Sequence, residues 1–274
     1  MKFPLLPRKK NSSKQDYGHV LVAGGSEAYP GAAILTAKAA LLSGSGLVTL
    51  AAPEAVRAAV LKKFPPEIMP VFFKGSPVSK LQELIRARRI NALAVGPGLG
   101  RRPQTSQWIR TLIRTVRVPA VLDADALNAF QGHRAELVKH GGPLILTPHD
   151  GEFARLTGTK VPASGLKREA LAKKFSRLYD GVLVLKGHRT LVAHGSKLFR
   201  NTTGNPGMAK GGSGDVLTGI IAAFLAQGLE PFQAAVWGVY FHGKAGDLAL
   251  RKTGELSLSA SDIIEFFPEA IRKK

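Results

Sequence analysis

The sequence contains no cysteine, so its 274 residues offer no disulfide, no thiolate metal site and no thiol nucleophile. Acidic residues are also scarce. Nineteen Asp and Glu face 39 Lys and Arg, and the resulting net charge of +20 favours anionic ligands. Aromatic residues make up only 7% and do not punctuate the short basic clusters at 8–10 and 86–89, so the charge reads as a solvated basic surface rather than a stacking platform for nucleic acid. No apolar run approaches the roughly 20 residues that cross a bilayer. The opening MKFPLLPRKKNSSKQ lacks the continuous apolar core of a secretory signal, and cytoplasmic residence is expected.

What is present is an alternation. Apolar, β-branched runs at 19–23, 47–51, 92–95, 120–122 and 144–146 read as buried strands. Between them 31–42, 53–62, 104–115 and 152–157 have helical length or spacing, with Pro53 suited to a first turn. Alternating units of this kind predict a parallel sheet covered on both faces, with ligand loops at the C-terminal ends of the strands. Beyond residue 160, segments 182–185, 190–193 and 197–200 are separated by Gly-containing turns and read as antiparallel hairpins. Helices return at 212–227, 231–250 and 260–267. No long linker or solenoid repeat divides the chain, so a single domain over 1–274 is expected.

The sharpest local signal is NTTGNPGMAKGGSGD over residues 201–215, followed at once by an apolar helical segment. It places glycine amides at a helix start, where about half a positive charge and unpaired N–H groups receive a phosphate. Gly212, Ser213 and Gly214 would form this anion hole. Asp215 then stands where its carboxylate can take a proton from an attacking hydroxyl. A tight turn with Asp215 as a cap would explain the same residues taken alone.

The GGSGD motif and the VLTGIIAAFLAQG that follows it resemble the signature of ribokinase-like kinases, and the stretch from Asn201 resembles the NAD(P)H-hydrate dehydratase family. Further segments occur in that family's order: Tyr17-Gly18-His19 leading to AGGSEAYPGAA, the VGPGLG ending at Gly100, VLDADALN at 121–128, TPHDGE at 147–152 and Leu185-Lys186-Gly187. The similarity spans roughly 16–267. It implies a ribokinase-like three-layer α/β sandwich with a mostly parallel sheet. The implied activity is a carbon–oxygen lyase reaction that restores NADH or NADPH from the S epimer of its hydrate, NADHX or NADPHX, using ADP or ATP. Mg²⁺ and a homotetramer are implied as well. The epimerase domain frequent in the family does not appear in this sequence, and epimerase activity is not expected.

The resemblance also implies residue roles. Ala32, Gly98, His149 and Asp215 would contact the hydrated dinucleotide, while Lys186, Gly187, His188, Arg189 and Thr190, with Gly214, would meet the nucleotide. Glu152 falls where the superfamily's Asn-x-x-Glu motif assists a hydrated Mg²⁺, His149 replacing the Asn. Asp123, Asp125 and Asn128 follow a strand, a position open to ligand contact, though helix capping explains Asp125 at least as well, and they are given no role. Asp150 departs from the family's usual proline, and Lys210 from a small polar residue. The nearest alternative is a small-molecule kinase for a vitamin precursor, because the same anion hole and Asp would serve its acceptor. A basic nucleic-acid-binding protein is the alternative of another class, motivated by the charge. Neither a GxGxxG dinucleotide fingerprint nor a GxxxxGK[ST] loop is present.

Overall fold

The computed structural model describes residues 8–163 and 165–272. Residues 1–7, part of the segment expected to lack a secretory core, lie outside the described residues. Strands β1 (His19–Ala23), β2 (Leu47–Pro53), β3 (Met69–Phe73), β4 (Ala92–Val95), β5 (Ala120–Leu122), β6 (Leu144–Leu146), β7 (Val182–Leu185), β8 (Leu191–His194) and β9 (Lys197–Arg200) form one sheet in the order β3-β2-β1-β4-β5-β6-β7-β8-β9. Pairing is parallel from β3 through β7 and antiparallel at β8 and β9. The helices, in chain order, are α1 (Pro30–Leu42), α2 (Arg57–Lys62), α3 (Val78–Ala87), α4 (Pro103–Thr115), α5 (Asp125–Asn128), α6 (Asp150–Thr157), α7 (Gly165–Leu178), α8 (Ser213–Ala226), α9 (Pro231–Thr253) and α10 (Ala260–Arg272).

Strand alternation sorts these helices into two layers. In β1, Val20 and Val22 join the core formed with α1, α8, α9 and α10, whereas Leu21 and Ala23 join the opposite core with α4, α6 and α7. The expected three-layer sandwich follows directly from strands apolar on both faces. Among the described residues, no helix is long and apolar enough to cross a membrane.

Several elements differ from the sequence reading. Pro53 ends β2 instead of opening a helix; a 3₁₀ turn over Glu54–Val56 intervenes before α2. Strand β3 was not expected. Its Pro70 is tolerated because β3 is a sheet edge, where a missing amide leaves no ladder bond unmade on the open side. Helices α3 and α7 were not expected; α3 packs Val78, Leu81, Leu84 and Ile85 at helical spacing on the core, whereas α7 fully buries only Ala172, Phe175 and Ser176. Helix α10 continues through Pro268 to Arg272, since Phe267 and Ala270 on either side of the proline are both buried. Strand β7 completes the parallel sheet with β6 as well as pairing with β8.

The chain runs outward from β1 to β3, then returns to β4 on the other side of β1. This reversal opens a crevice beyond the C-terminal ends of β1 and β4, the place where open α/β sheets bind ligands. Helix α8, buried along nearly its whole length, points its N-terminus toward this edge. It packs backbone to backbone on α1: a Cβ at Gly219 would overlap the Thr36 carbonyl oxygen and come 2.9 Å from the Ala39 Cβ. Gly219→Ala is therefore expected to lower unfolding free energy by about 1–3 kcal/mol through overpacking, as read by urea denaturation; an unchanged midpoint would mean that α1 has room to move.

Candidate active site

Gly212 precedes α8 in the left-handed conformation, φ 92°, and a Cβ there would lie 2.7 Å from the Leu35 side chain. Among the described residues no side chain caps α8; the Ser213 amide reaches the Lys210 carbonyl at 3.4 Å, while the Gly214 and Asp215 amides have no backbone acceptor and stay available to an external anion. The preceding loop is pinned to α9. Asn201 Nδ2 donates to the Val239 carbonyl at 3.1 Å, Thr203 Oγ1 to the Tyr240 carbonyl at 2.8 Å, and Asp247 accepts from the Gly204 amide and Asn205 Nδ2. His242, also on α9, places Nε2 3.0 Å from the Ser213 carbonyl. Burial depresses its pKa to about 4, so it is neutral and donates from Nε2.

Asp215, in the first turn of α8, belongs to a compact charge cluster. Asp123, only 1% exposed, follows β5; its carboxylate accepts from Lys186 Nζ at 2.6 Å and from Thr218 Oγ1 at 2.8 Å. Lys186, after β7, also lies 3.6 Å from Glu152. A Cβ at Gly214 would come 3.3 Å from the Lys186 nitrogen, so the ammonium rests against the start of α8. Burial, then repulsion from Asp123, pushes the Asp215 carboxyl up to about 7; Glu152 and Asp125 add to this and Lys186 partly offsets it.

Asp215 faces a cleft of about 570 Å³ shared with Tyr29, Ala32, Gly98, Gly100, Arg101 and Asp125. Its walls are the loops after β1 and β4, held together by the Gly25 amide donating to the Pro97 carbonyl at 2.8 Å. Gly98 has φ 69°, and a Cβ there would press on the Tyr29 carbonyl and lie 3.0 Å from the Ala32 Cβ, so contact between the two loops already requires glycine. Of the two readings open for Asp125, helix cap and ligand-facing residue, the structure sets the cap aside and places Asp125 in the cleft wall. Ala124 precedes α5, and Asp125 Oδ2 accepts from the Gly100 amide at 2.8 Å, fixing the wall of the cleft.

Three of the four residues expected to meet the dinucleotide, Ala32, Gly98 and Asp215, thus line one cavity. His149 instead caps α6, its Nδ1 accepting from the Gly151 and Glu152 amides at 3.0 and 3.3 Å; Nε2 carries the proton and lies 3.6 Å from Glu152 Oε1. Glu152 Oε2 accepts from the His149 amide at 2.9 Å. Gly187, His188 and Arg189 are exposed in the β7–β8 turn, which Thr190 closes by donating to the Gly187 carbonyl at 2.9 Å. Lys186 turns inward from this turn, toward the carboxylates. Lys210 donates to the Leu256 carbonyl. No group of three or more His, Asp or Glu side chains among the described residues is arranged to hold a metal.

Residues 20–269 match the family model described as NAD(P)H-hydrate dehydratase. The chain belongs to the NAD(P)H-hydrate dehydratase family. Within that family it is 45% identical over 97% of its length to a bifunctional NAD(P)H-hydrate repair enzyme of Moorella thermoacetica, of which it covers 52%. It is 38% identical over 90% of its length to the ADP-dependent (S)-NAD(P)H-hydrate dehydratase of Neisseria meningitidis, of which it covers 82%. The chain spans about half the length of the first curated relatives it matches. Its structure superposes with a TM-score of 0.86, at 33% identity and covering 98% and 94% of the two chains, on the ADP/ATP-dependent NAD(P)H-hydrate dehydratase of Bacillus subtilis co-crystallised with ATP/Mg²⁺. A hydroxyethylthiazole kinase of Pyrococcus horikoshii, at 15% identity and TM-score 0.66 over 95% and 93% of the chains, shares the fold alone.

The raised pKa gives this dehydratase-family site a stability signature. Unfolded, Asp215 titrates near 3.8; folded, near 7. Between these values the unfolded chain has released a proton that the folded chain retains, so rising pH withdraws stability until the carboxyl ionises in both states. Asp215→Asn removes this term. Its melting temperature relative to the parent should climb between about pH 5 and 7 and level off above; an offset constant across that range would contradict the burial of Asp215 among carboxylates.

Proposed function

We propose that this chain dehydrates hydrated NADH or NADPH, the S epimer, at the expense of ADP or ATP. One observation carries the reading: a carboxyl with pKa about 7 opens, from the start of an uncapped helix, into the same cleft as Ala32 and Gly98. The names of the Neisseria and Bacillus relatives support the substrate and the donor.

In the proposed reaction the hydrated ring enters the cleft with its hydroxyl toward Asp215, which accepts the proton as that oxygen attacks the terminal phosphorus of the nucleotide. The phosphorus–oxygen bond to the nucleotide breaks, and the shortened nucleotide leaves with the bonding electrons. Amides at the start of α8, those of Gly212, Ser213 and Gly214, stabilise charge on the phosphoryl oxygens, Ser213 exchanging its 3.4 Å contact with the Lys210 carbonyl for the phosphate. The ring nitrogen's lone pair then expels phosphate, breaking the carbon–oxygen bond. Loss of a proton from the adjacent carbon restores the dihydronicotinamide. Lys186, Gly187, His188, Arg189 and Thr190 would carry the nucleotide, and His149, whose side chain is half exposed, would donate from Nε2 to the dinucleotide.

The donor set suits a Mg²⁺ that arrives with the phosphates and keeps its waters. Three carboxylates lie near one ammonium, and no protein cage is present among the described residues. Glu152 would hold it through water, and the ion would supply neutralisation of phosphate charge. A cytoplasmic homotetramer completes the proposal.

Hydrated NADH supplied separately with ADP and with ATP tests the reading. Dihydronicotinamide absorbance should recover with release of free phosphate. Asp215→Asn should lower turnover by about 10²–10⁴-fold, the usual contribution of a positioned base. A stable phosphoester with no recovered NADH would instead identify a small-molecule kinase.

A further inference from the structure

Arg168 on α7 stands between the two loops that the proposed reaction requires. Its Nη1 donates to Asp150 Oδ2 at 2.8 Å and lies 2.7 Å from Oδ1, and its Nη2 donates to the Lys186 carbonyl at 2.9 Å. Asp150 is the first residue of α6, directly after the cap His149. The Lys186 carbonyl opens the 186–190 turn, while the Lys186 amide donates at 2.8 Å to the Pro148 carbonyl, just ahead of His149. The two loops are thereby joined on both sides of the Lys186 peptide.

Two details indicate that the guanidinium sits where the loops need it, not where its own solvation is best. Arg168 Nε is buried without a hydrogen-bond partner among the described residues, an arrangement that costs free energy. A Cβ at Gly187 would come within 3.2 Å of Nη2, so the turn leaves space for the arginine. A planar fork can address a carboxylate and a carbonyl in two fixed directions, which a lysine ammonium on a flexible stem does not reproduce.

We propose that Arg168 is a positioning residue that couples the nucleotide turn to the His149 loop, so that filling one favours the binding geometry of the other. The inference rests on the functional reading above. It also assigns a use to Asp150, the departure from the family's usual proline: the carboxylate anchors Arg168 at the start of α6.

Calorimetric titration of the intact chain with ADP, with and without saturating NADH, tests the coupling. In the parent, NADH should strengthen ADP binding by about fivefold or more, the lower end of ordinary coupling between sites. In Arg168→Lys and in Asp150→Asn that factor should fall below about twofold, while NADH still binds alone. Asp150 is half exposed, so its variant decides the matter even where Arg168→Lys folds poorly. Coupling retained in full by Asp150→Asn, or ADP affinity in the parent indifferent to NADH, would overturn the inference and leave the functional reading standing. A parent that binds neither ADP nor NADH would overturn both.

Discussion

The ammonium of Lys186 lies 2.6 Å from Asp123 and 3.6 Å from Glu152, against Gly214 at the start of α8. Burial works against its charge, but Asp123 and Glu152, with a smaller contribution from Asp215, hold it protonated above the ordinary lysine range. The remaining features of the site depend on this cation. Without it three carboxylates would share a desolvated pocket with no counter-charge, and removing one partner of such a buried pair typically costs about 3–5 kcal/mol. With it, Asp123 is fixed between Lys186 and Thr218, and burial together with the surplus negative charge raises Asp215, whose proton becomes labile near neutrality.

Topology brings these groups together from distant parts of the chain. Asp123, His149 and Lys186 follow three adjacent parallel strands, β5, β6 and β7, so the strands' common direction delivers them to one edge of the sheet. The reversal at β1 adds the two glycine-rich loops that wall the cleft. Helix α8 crosses to that edge through a core with no polar stripe, where close contact at Gly219 fixes its position against α1. Burial of apolar surface on both faces of the sheet therefore sets the distance between the Asp215 carboxyl and its counter-charge.

Much of this was legible in the residues. Buried strands announced themselves as short β-branched runs, and the glycine-rich approach to Asp215 marked the start of α8. Edge strand β3 was hidden by Pro70 and α7 by a polar face with few buried anchors, whereas the stripe of Val78, Leu81, Leu84 and Ile85 in α3 was legible and went unread. At the site, Ala32, Gly98 and Asp215, expected from the family resemblance, line one cleft. Asp123 was passed over although it stood in view directly after β5; its importance lies in a partner 63 residues away, a separation that local pattern cannot report. His242 escaped for the same reason, since only the packing of α9 on α8 brings its ring to the Ser213 carbonyl. Asp125 had the spacing of a cap and proved to be the acceptor for the Gly100 amide. The net charge of +20 finds no explanation in the cluster, where carboxylates outnumber the ammonium.

The central claim is electrostatic, and it is measured most directly at the carboxyl itself. In protein labelled with carbon-13 at aspartate carboxyls, the Asp215 resonance, assigned by its absence from Asp215→Asn, should titrate with a midpoint near 7. In Asp123→Asn the midpoint should fall, because the largest repelling charge is gone. A midpoint near 3.8 in the parent, unmoved by that substitution, would contradict the account.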